Sequence, residues 1–439
     1  MDFIFFYVFQ FFKRFLGTRD SLPENSKNLI WLIGLYDFNF ALSSVFTNIF
    51  LFKKQDDWDT VELFNLVMYA AILLAFWAGG HLAKRVNHLL PYRLGFVFNA
   101  MVFLFLLLLR EHSPEHPCFL GFLAGLGIGF YYLGQHSLTL DLTEAKTRDY
   151  FLSLSLFLSS ILRILAPALA GWIIQAFRPE ATFPRNLLGI QNDSSAGYYF
   201  VFAMSLLVYL LLIYKSFKIE IKPVEGTFEF WKVLTFKENG DWNRQMWAQF
   251  VLGLRNGVFW FIIGVLVYRA SKSEAMVGSF NMMSNFLAVL TAYGLSLWAA
   301  SANRNKGMWM SSWLTWAACV LLAWKINTFS LLVYAVLNAV GVTWFQVAFG
   351  AIAFEVVEGA KEAKRYKLEY LAVRELPLWV GRTIGLGALM ACQHWLGESG
   401  LRLSLLVLGF THMGVFLCLP KKIKVAINRH EHQVHQERL

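Results

Sequence analysis

The residues of this chain with chemistry to offer are ionisable and polar side chains set inside long apolar runs, where each needs a partner or water. Asp37 lies about ten residues into one such run and forms a helically spaced stripe with Ala41, Ser44 and Asn48, which marks a face turned to a polar cavity. A carboxylate half-withdrawn from water there suits a proton or a cationic solute; it equally suits a fixed ion pair with Arg163, Arg255 or Arg382. Arg163 shares its run with the small residues Ser155, Ser159, Ser160, Pro167 and Gly171, which leave room for a ligand or a facing helix. Arg255 and Asn256 interrupt another run. A guanidinium keeps its charge and offers a rigid fork to carboxylate or phosphate, and a helix-to-helix salt bridge is the competing use.

Glu375 and Arg382 are seven residues apart, so on a helix they lie within about 20° of each other and about 10 Å apart along the axis. They share a face, expected to line a cavity or a structural network, with Trp379 between them; Arg374 points elsewhere and Pro377 removes a backbone donor. Tyr132 and His136 follow a glycine repeat (Gly121, Gly125, Gly129) that permits close helix contact, and both are candidate ligand contacts, although a lone histidine is more often a satisfied buried one. Trp344, near Asn338 and Gln346, is a further candidate, and Asn65, Tyr69, Asn281 and Asn285 add neutral donors. Four arginines inside the runs against Asp37 and Glu375 tilt the expectation towards an anionic or zwitterionic organic solute.

The elements that position these groups follow from composition. The 439 residues are 57% hydrophobic and 15% charged, more apolar than one water-soluble core requires. The apolar runs are about 17 to 25 residues long, the length a helix needs to cross a bilayer. They are continuous, so an all-α integral membrane protein is expected, with twelve spans near 28–52, 61–83, 94–109, 118–140, 150–177, 198–217, 247–269, 275–300, 308–324, 330–354, 370–395 and 401–420. Residues 1–27 read as an interfacial amino-terminal segment, 28–217 and 247–420 as six-helix bundles, 218–246 as a linker and 421–439 as a tail. With both termini cytoplasmic, 26 of the 39 Lys and Arg fall on the inner side. The net charge of +10 is thereby assigned to an anionic leaflet and not to nucleic acid. Four cysteines in separate segments and scattered histidines (His112, His116, His430, His432, His435) give no metal-binding pattern, and no phosphate-binding loop is present, so no cofactor is expected.

The two bundles also echo each other. Gly34-Leu35-Tyr36-Asp37 matches Gly253-Leu254-Arg255-Asn256 at an offset of 219, and the pairs Asp141 with Glu144 and Glu355 with Glu358 match at 214. Asp149-Tyr150 followed by Arg163 is echoed by Glu369-Tyr370 followed by Arg382. Both copies start on the same side, so the repeat is parallel.

Between spans 2 and 3 the chain reads Gly79-Gly80-His81-Leu82-Ala83-Lys84-Arg85, then Pro91-Tyr92-Arg93. This resembles the signature loop of the major facilitator superfamily, except that Lys84 stands where that family usually has aspartate. The run Glu369-Tyr370-Leu371-Ala372-Val373-Arg374-Glu375 with Gly381-Arg382 resembles an uncharacterised bacterial branch of it. The resemblance implies two parallel-repeat six-helix bundles rocking about a central cavity, and a secondary transporter for a small organic solute, ion or proton coupled. It also implies a cytoplasmic gate, for which Gly80, Lys84 and Arg85 with Asp141, Glu144 and Glu355 are the expected residues. A monomer in the plasma membrane is expected, and no enzyme chemistry. Export of amphipathic or lipid-linked compounds, and a transport-inactive sensor or assembly protein, are the alternatives.

Overall fold

The computed structural model describes residues 22–55, 57–143, 145–178, 195–221, 228–235, 240–298, 304–358 and 366–419. Residues 1–21, the histidines of the tail and Glu144 lie outside them. The described residues are helical, with no strand. The first bundle contains α1 (Glu24–Gln55), α2 (Trp58–Arg85), α3 (Leu89–Leu109), α4 (Pro117–Leu142), α5 (Ala145–Ala176) and α6 (Ala196–Ser216). The second contains α7 (Gly240–Ser271), α8 (Glu274–Trp298), α9 (Arg304–Trp324), α10 (Thr328–Glu358), α11 (Lys367–Leu396) and α12 (Glu398–Gly409), the last continued by a short helix at Thr411–Val415. A five-residue linker helix, Phe230–Leu234, lies between them.

Among the described residues, nine helices are long and apolar enough to cross a membrane. The other three are α9, α11 and α12. Charges at Lys367, Glu369, Arg374, Glu375 and Arg382 dilute the apolar character of α11, and α12 is broken after twelve residues. Several helices begin before the expected apolar span, α1 at Glu24 and α7 at Gly240, because backbone hydrogen bonding continues beyond the hydrocarbon.

Helix packing repeats with a period of six. In the first bundle α1 packs on α5 and α6, α2 on α4, and α3 on α4 and α6; in the second α7 packs on α11 and α12, α8 on α10, and α9 on α10 and α12. The bundles meet through α2 against α11 and through α5 against α8, two contacts that the same sixfold shift exchanges, with α1 touching α7 between them. A parallel tandem repeat dictates this arrangement, since equivalent faces carry equivalent packing residues.

Small residues set the closest approaches, as lipid gives helices no hydrophobic reason to associate. The glycine repeat of α4 lies directly on α2: a Cβ at Gly125 would stand 2.3 Å from the Met68 carbonyl oxygen, and one at Gly121 the same distance from that of Phe64. Gly397, with φ of 56°, closes α11 by donating its N–H to the Gln393 carbonyl and lets α12 turn back.

Gly125→Leu is expected to cost about 1–3 kcal/mol through overpacking. Thermal unfolding of the detergent-purified protein should fall well below that of Gly294→Leu, whose Cβ position in α8 is open. Equal melting of the two variants would contradict the close α2–α4 approach.

Candidate functional site: two repeat-related arginines and a central cavity

The sequence repeat aligns Asp37 with Asn256 and Arg163 with Arg382, and this substitution of an amide for a carboxylate shapes the centre of the molecule. In the first bundle Arg163 Nη2 lies 2.5 Å from Asp37 Oδ1. Asp37 is buried, whereas the Arg163 side chain is 46% exposed, so the pair has one member in the packing and the other at an accessible surface. The Arg163 carbonyl accepts a hydrogen bond of 2.9 Å from Asn285 of α8, which ties the pair to the opposite bundle.

In the second bundle Asn256 offers no charge, and Arg382 takes a different course. Its Cζ lies 3.9 Å from the ring centre of Trp379 and 4.4 Å from that of Trp260. Arg382 is 7% exposed, and its Nε and Nη1 have no hydrogen-bond partner. The backbone around it is close to α7, since a Cβ at Gly257 would meet the Arg382 carbonyl oxygen at 2.3 Å.

Arg382 shares a cavity with Arg255 and Asn256, bounded by α1, α7, α8, α10 and α11 and enclosing about 920 Å³ of empty space, some of it continuous with solvent. Arg255 is buried, lies 4.4 Å over the Phe259 ring and donates at 2.6 Å to Asn338 Oδ1. A smaller cavity of about 510 Å³ lies in the first bundle, lined by Ser44, Asn48, Asn65 and Asn99. The polar stripe of α1 therefore faces an interior space. Trp260 borders both cavities. It is the site residue that sequence reasoning missed; its only signal is that it lies one turn beyond Asn256, hidden among 16 tryptophans.

No family model matches the chain. The uncharacterized protein YqgE of Bacillus subtilis (strain 168) is 28% identical over 405 residues, covering 91% of this chain and 90% of that protein. An uncharacterized protein in the sodM 3' region of Geobacillus stearothermophilus is 33% identical over 166 residues, 38% of this chain and 77% of its own length. The chain belongs to the family of these proteins. Its fold is that of the major facilitator superfamily. The crystal structure of the E. coli fucose:proton symporter FucP covers 89% of this chain and 97% of its own, at a TM-score of 0.58 and 13% identity. A structure of FucP described as a major facilitator superfamily transporter in the outward conformation gives the same coverage at a TM-score of 0.60 and 14% identity.

The remaining expected residues of this major facilitator fold scatter around the centre. Tyr132 and His136 are half-buried and face each other on α4, ring centres 6.3 Å apart. Trp379 is buried against Arg382 and Tyr69, and the Tyr69 hydroxyl donates at 2.8 Å to the Gly257 carbonyl across the bundles. Glu375 is not among the residues that line the Arg382 cavity; it accepts from its neighbour Arg374 at 3.0 Å. Trp344 packs its indole against Gly307 at the start of α9.

The face that carries the linker also departs from expectation. Lys84 does not reach Asp141 or Glu355; its Nζ lies 3.9 Å from Glu369 Oε1 on α11, because α2 and α11 are packed together. Asp141 pairs instead with His88 of the α2–α3 turn, while Arg85 and Glu355 are exposed. Gly80 accommodates the Phe228 ring of the linker segment. Lys232 of the linker helix bonds Glu229 and the Tyr366 hydroxyl, at 2.8 and 2.7 Å. The hydrogen bond to Glu229, followed by that to Tyr366, pushes the Lys232 ammonium up to about 12.

On the opposite, distal face the bundles are joined by Glu274, the fully buried first residue of α8. Its Oε1 accepts from Lys53 of α1 and from the Tyr198 hydroxyl of α6, each at 3.0 Å, and its Oε2 pairs with Arg178 beyond α5. Lys272 supports this clasp from a left-handed conformation, φ 52°, with its carbonyl accepting from Arg178 at 2.7 Å. All described polar contacts and close glycine contacts between α5 and α8 lie between this clasp and the Arg163–Asn285 bond.

Removing the clasp charge with Glu274→Gln leaves Lys53 and Arg178 without their acid. A cysteine placed at the cavity position Ser284 should then react severalfold faster with a membrane-impermeant thiol reagent added from the distal side, beyond the signal of the four native cysteines. Unchanged labelling would show that Glu274 does not hold that side shut.

Proposed function

We propose that this protein is a secondary active transporter that moves a small organic solute across the plasma membrane by alternating access, with the linker face cytoplasmic and proton coupling at Asp37. The observation that carries this reading is the interface between the bundles. It consists of two contacts exchanged by the repeat, with a charged clasp on one face and a polar cavity at the centre. Two similar bundles joined this way rock as near-rigid bodies, so loosening the clasp exposes the cavity to the distal side while the α2–α11 contact and the linker close the other.

The coupling step follows from the geometry of the ion pair. Protonation of Asp37 removes the charge that holds Arg163, and the half-exposed guanidinium becomes available to solute. Loss of the proton restores the pair. A solute that uses Arg163 is thus bound with the proton and released with it, the linkage that lets a pH gradient drive accumulation.

Purified protein in proteoliposomes, given a panel of organic solutes with and without an imposed pH gradient, should accumulate at least one solute in a gradient-dependent manner. Asp37→Asn should reduce that gradient dependence at least about tenfold, with gradient-independent exchange retained. If Asp37→Asn leaves proton-driven accumulation intact, Asp37 is not the coupling site; if no solute moves in either condition, the transport reading fails.

A further inference from the structure

Arg255 and Arg382 place two guanidinium groups on one cavity whose lining residues include no Asp or Glu. Both arginines are nine-tenths or more buried. A buried charge without a counter-charge is costly in any protein and more so within a membrane, so a cavity holding two of the same sign is incomplete as it stands. The nearby carboxylates are committed elsewhere: Asp37 to Arg163 and Glu375 to Arg374.

The way each arginine is held decides what completes the site. Aromatic rings lie against the guanidinium groups, Phe259 at Arg255, and Trp260 and Trp379 at Arg382. A ring face attracts the cation without taking the place of a conventional hydrogen-bond acceptor. Arg255 donates to Asn338, has the Cys319 thiol and the Tyr334 hydroxyl within hydrogen-bonding reach, and keeps Nε without a partner; the Arg382 side chain, among the described residues, makes no hydrogen bond or ion pair and leaves Nε and Nη1 unpartnered. These are pre-oriented donors for a planar oxyanion. Around them, Phe280, Ile263 and Val342 supply apolar wall, and Asn281 and Gln346 add neutral hydrogen-bonding groups.

We infer that this cavity is the binding site for an organic anion, a carboxylic acid with an apolar body, its carboxylate held by Arg382 and Arg255. The inference rests on the transport reading for the site's biological role, but binding is measured independently of movement. The repeat explains why the site is one-sided. The first bundle keeps Asp37 to neutralise Arg163 until Asp37 is protonated, whereas the second has Asn256 at that position and offers Arg382 no acid in either state.

The test is thermal stabilisation and calorimetric titration of the full chain in detergent at fixed ionic strength. The probes are a panel of mono-, di- and tricarboxylates, including benzoate, succinate and citrate, with benzamide, succinamide and inorganic phosphate as comparisons. At least one carboxylate, apolar-bodied acids foremost, should raise the melting temperature and bind, while its amide analogue does not. Arg382→Gln should weaken binding at least about tenfold. Arg382→Lys should not restore it, since an ammonium keeps the charge but lacks the stacked fork. Arg255→Gln provides a second variant should Arg382→Gln fold poorly. The assignment is overturned if no carboxylate binds, if amides or phosphate bind as tightly, or if both glutamine variants bind like the parent. Should acids bind and yet not cross proteoliposome membranes, the transport reading falls and the anion site stands.

Discussion

Within a bilayer every charge has to find a counter-charge, a polarisable face or a route to water, because hydrocarbon provides none of them. The centre of this molecule is arranged around that constraint. Asp37 and Arg163 satisfy each other, Arg255 takes an amide oxygen and a phenyl face, and Arg382 is held between two indoles. The same constraint operates at the distal face, where a fully buried carboxylate gathers two cations and a phenol from two helices of the opposite bundle and the turn beyond a third. Helix placement and charge placement are consequently one problem, since moving any of these helices would strand an ion.

The internal repeat makes that problem solvable twice with one scaffold, and differently each time. Glycines at equivalent positions, Gly34 and Gly253, lie against α5 and α11 respectively, so the two bundles bring equivalent faces together. At equivalent positions on those faces stand aspartate with arginine in one copy and asparagine with arginine in the other. The copies differ at three aligned positions, Asp37 against Asn256, Ala41 against Trp260 and Ser160 against Trp379, and together these set a closed ion pair in one bundle against an arginine packed by aromatic rings in the other.

Much of the architecture could be read from the chain because it rests on local signals. Apolar run lengths mark the spans, the offset near 219 marks the repeat, and the glycine period in α4 marks the seam with α2. The charges at Asp37, Arg163, Arg255 and Arg382 stood out for the same reason, as each interrupts an apolar run. Their partners were harder to read. Helical phase brought Glu375 and Arg382 to one face, yet adjacent Arg374 captured Glu375, since a long side chain can bend back along its own helix. The acid for Lys84 was sought at Asp141 and Glu355 by analogy with gates between loops, whereas the packing of α2 on α11 presents Glu369. Glu274 carried no signal at all: its partners lie 76, 96 and 221 residues away, and only the folded interface assembles them.

Trp260 has a consequence that belongs to neither cavity alone. Its indole forms a wall of the chamber in the first bundle and of the chamber in the second, touches Phe40 of α1 edge-on at 6.1 Å, and covers one face of Arg382. One side chain therefore borders both chambers, so a change of size at Trp260 alters the two together.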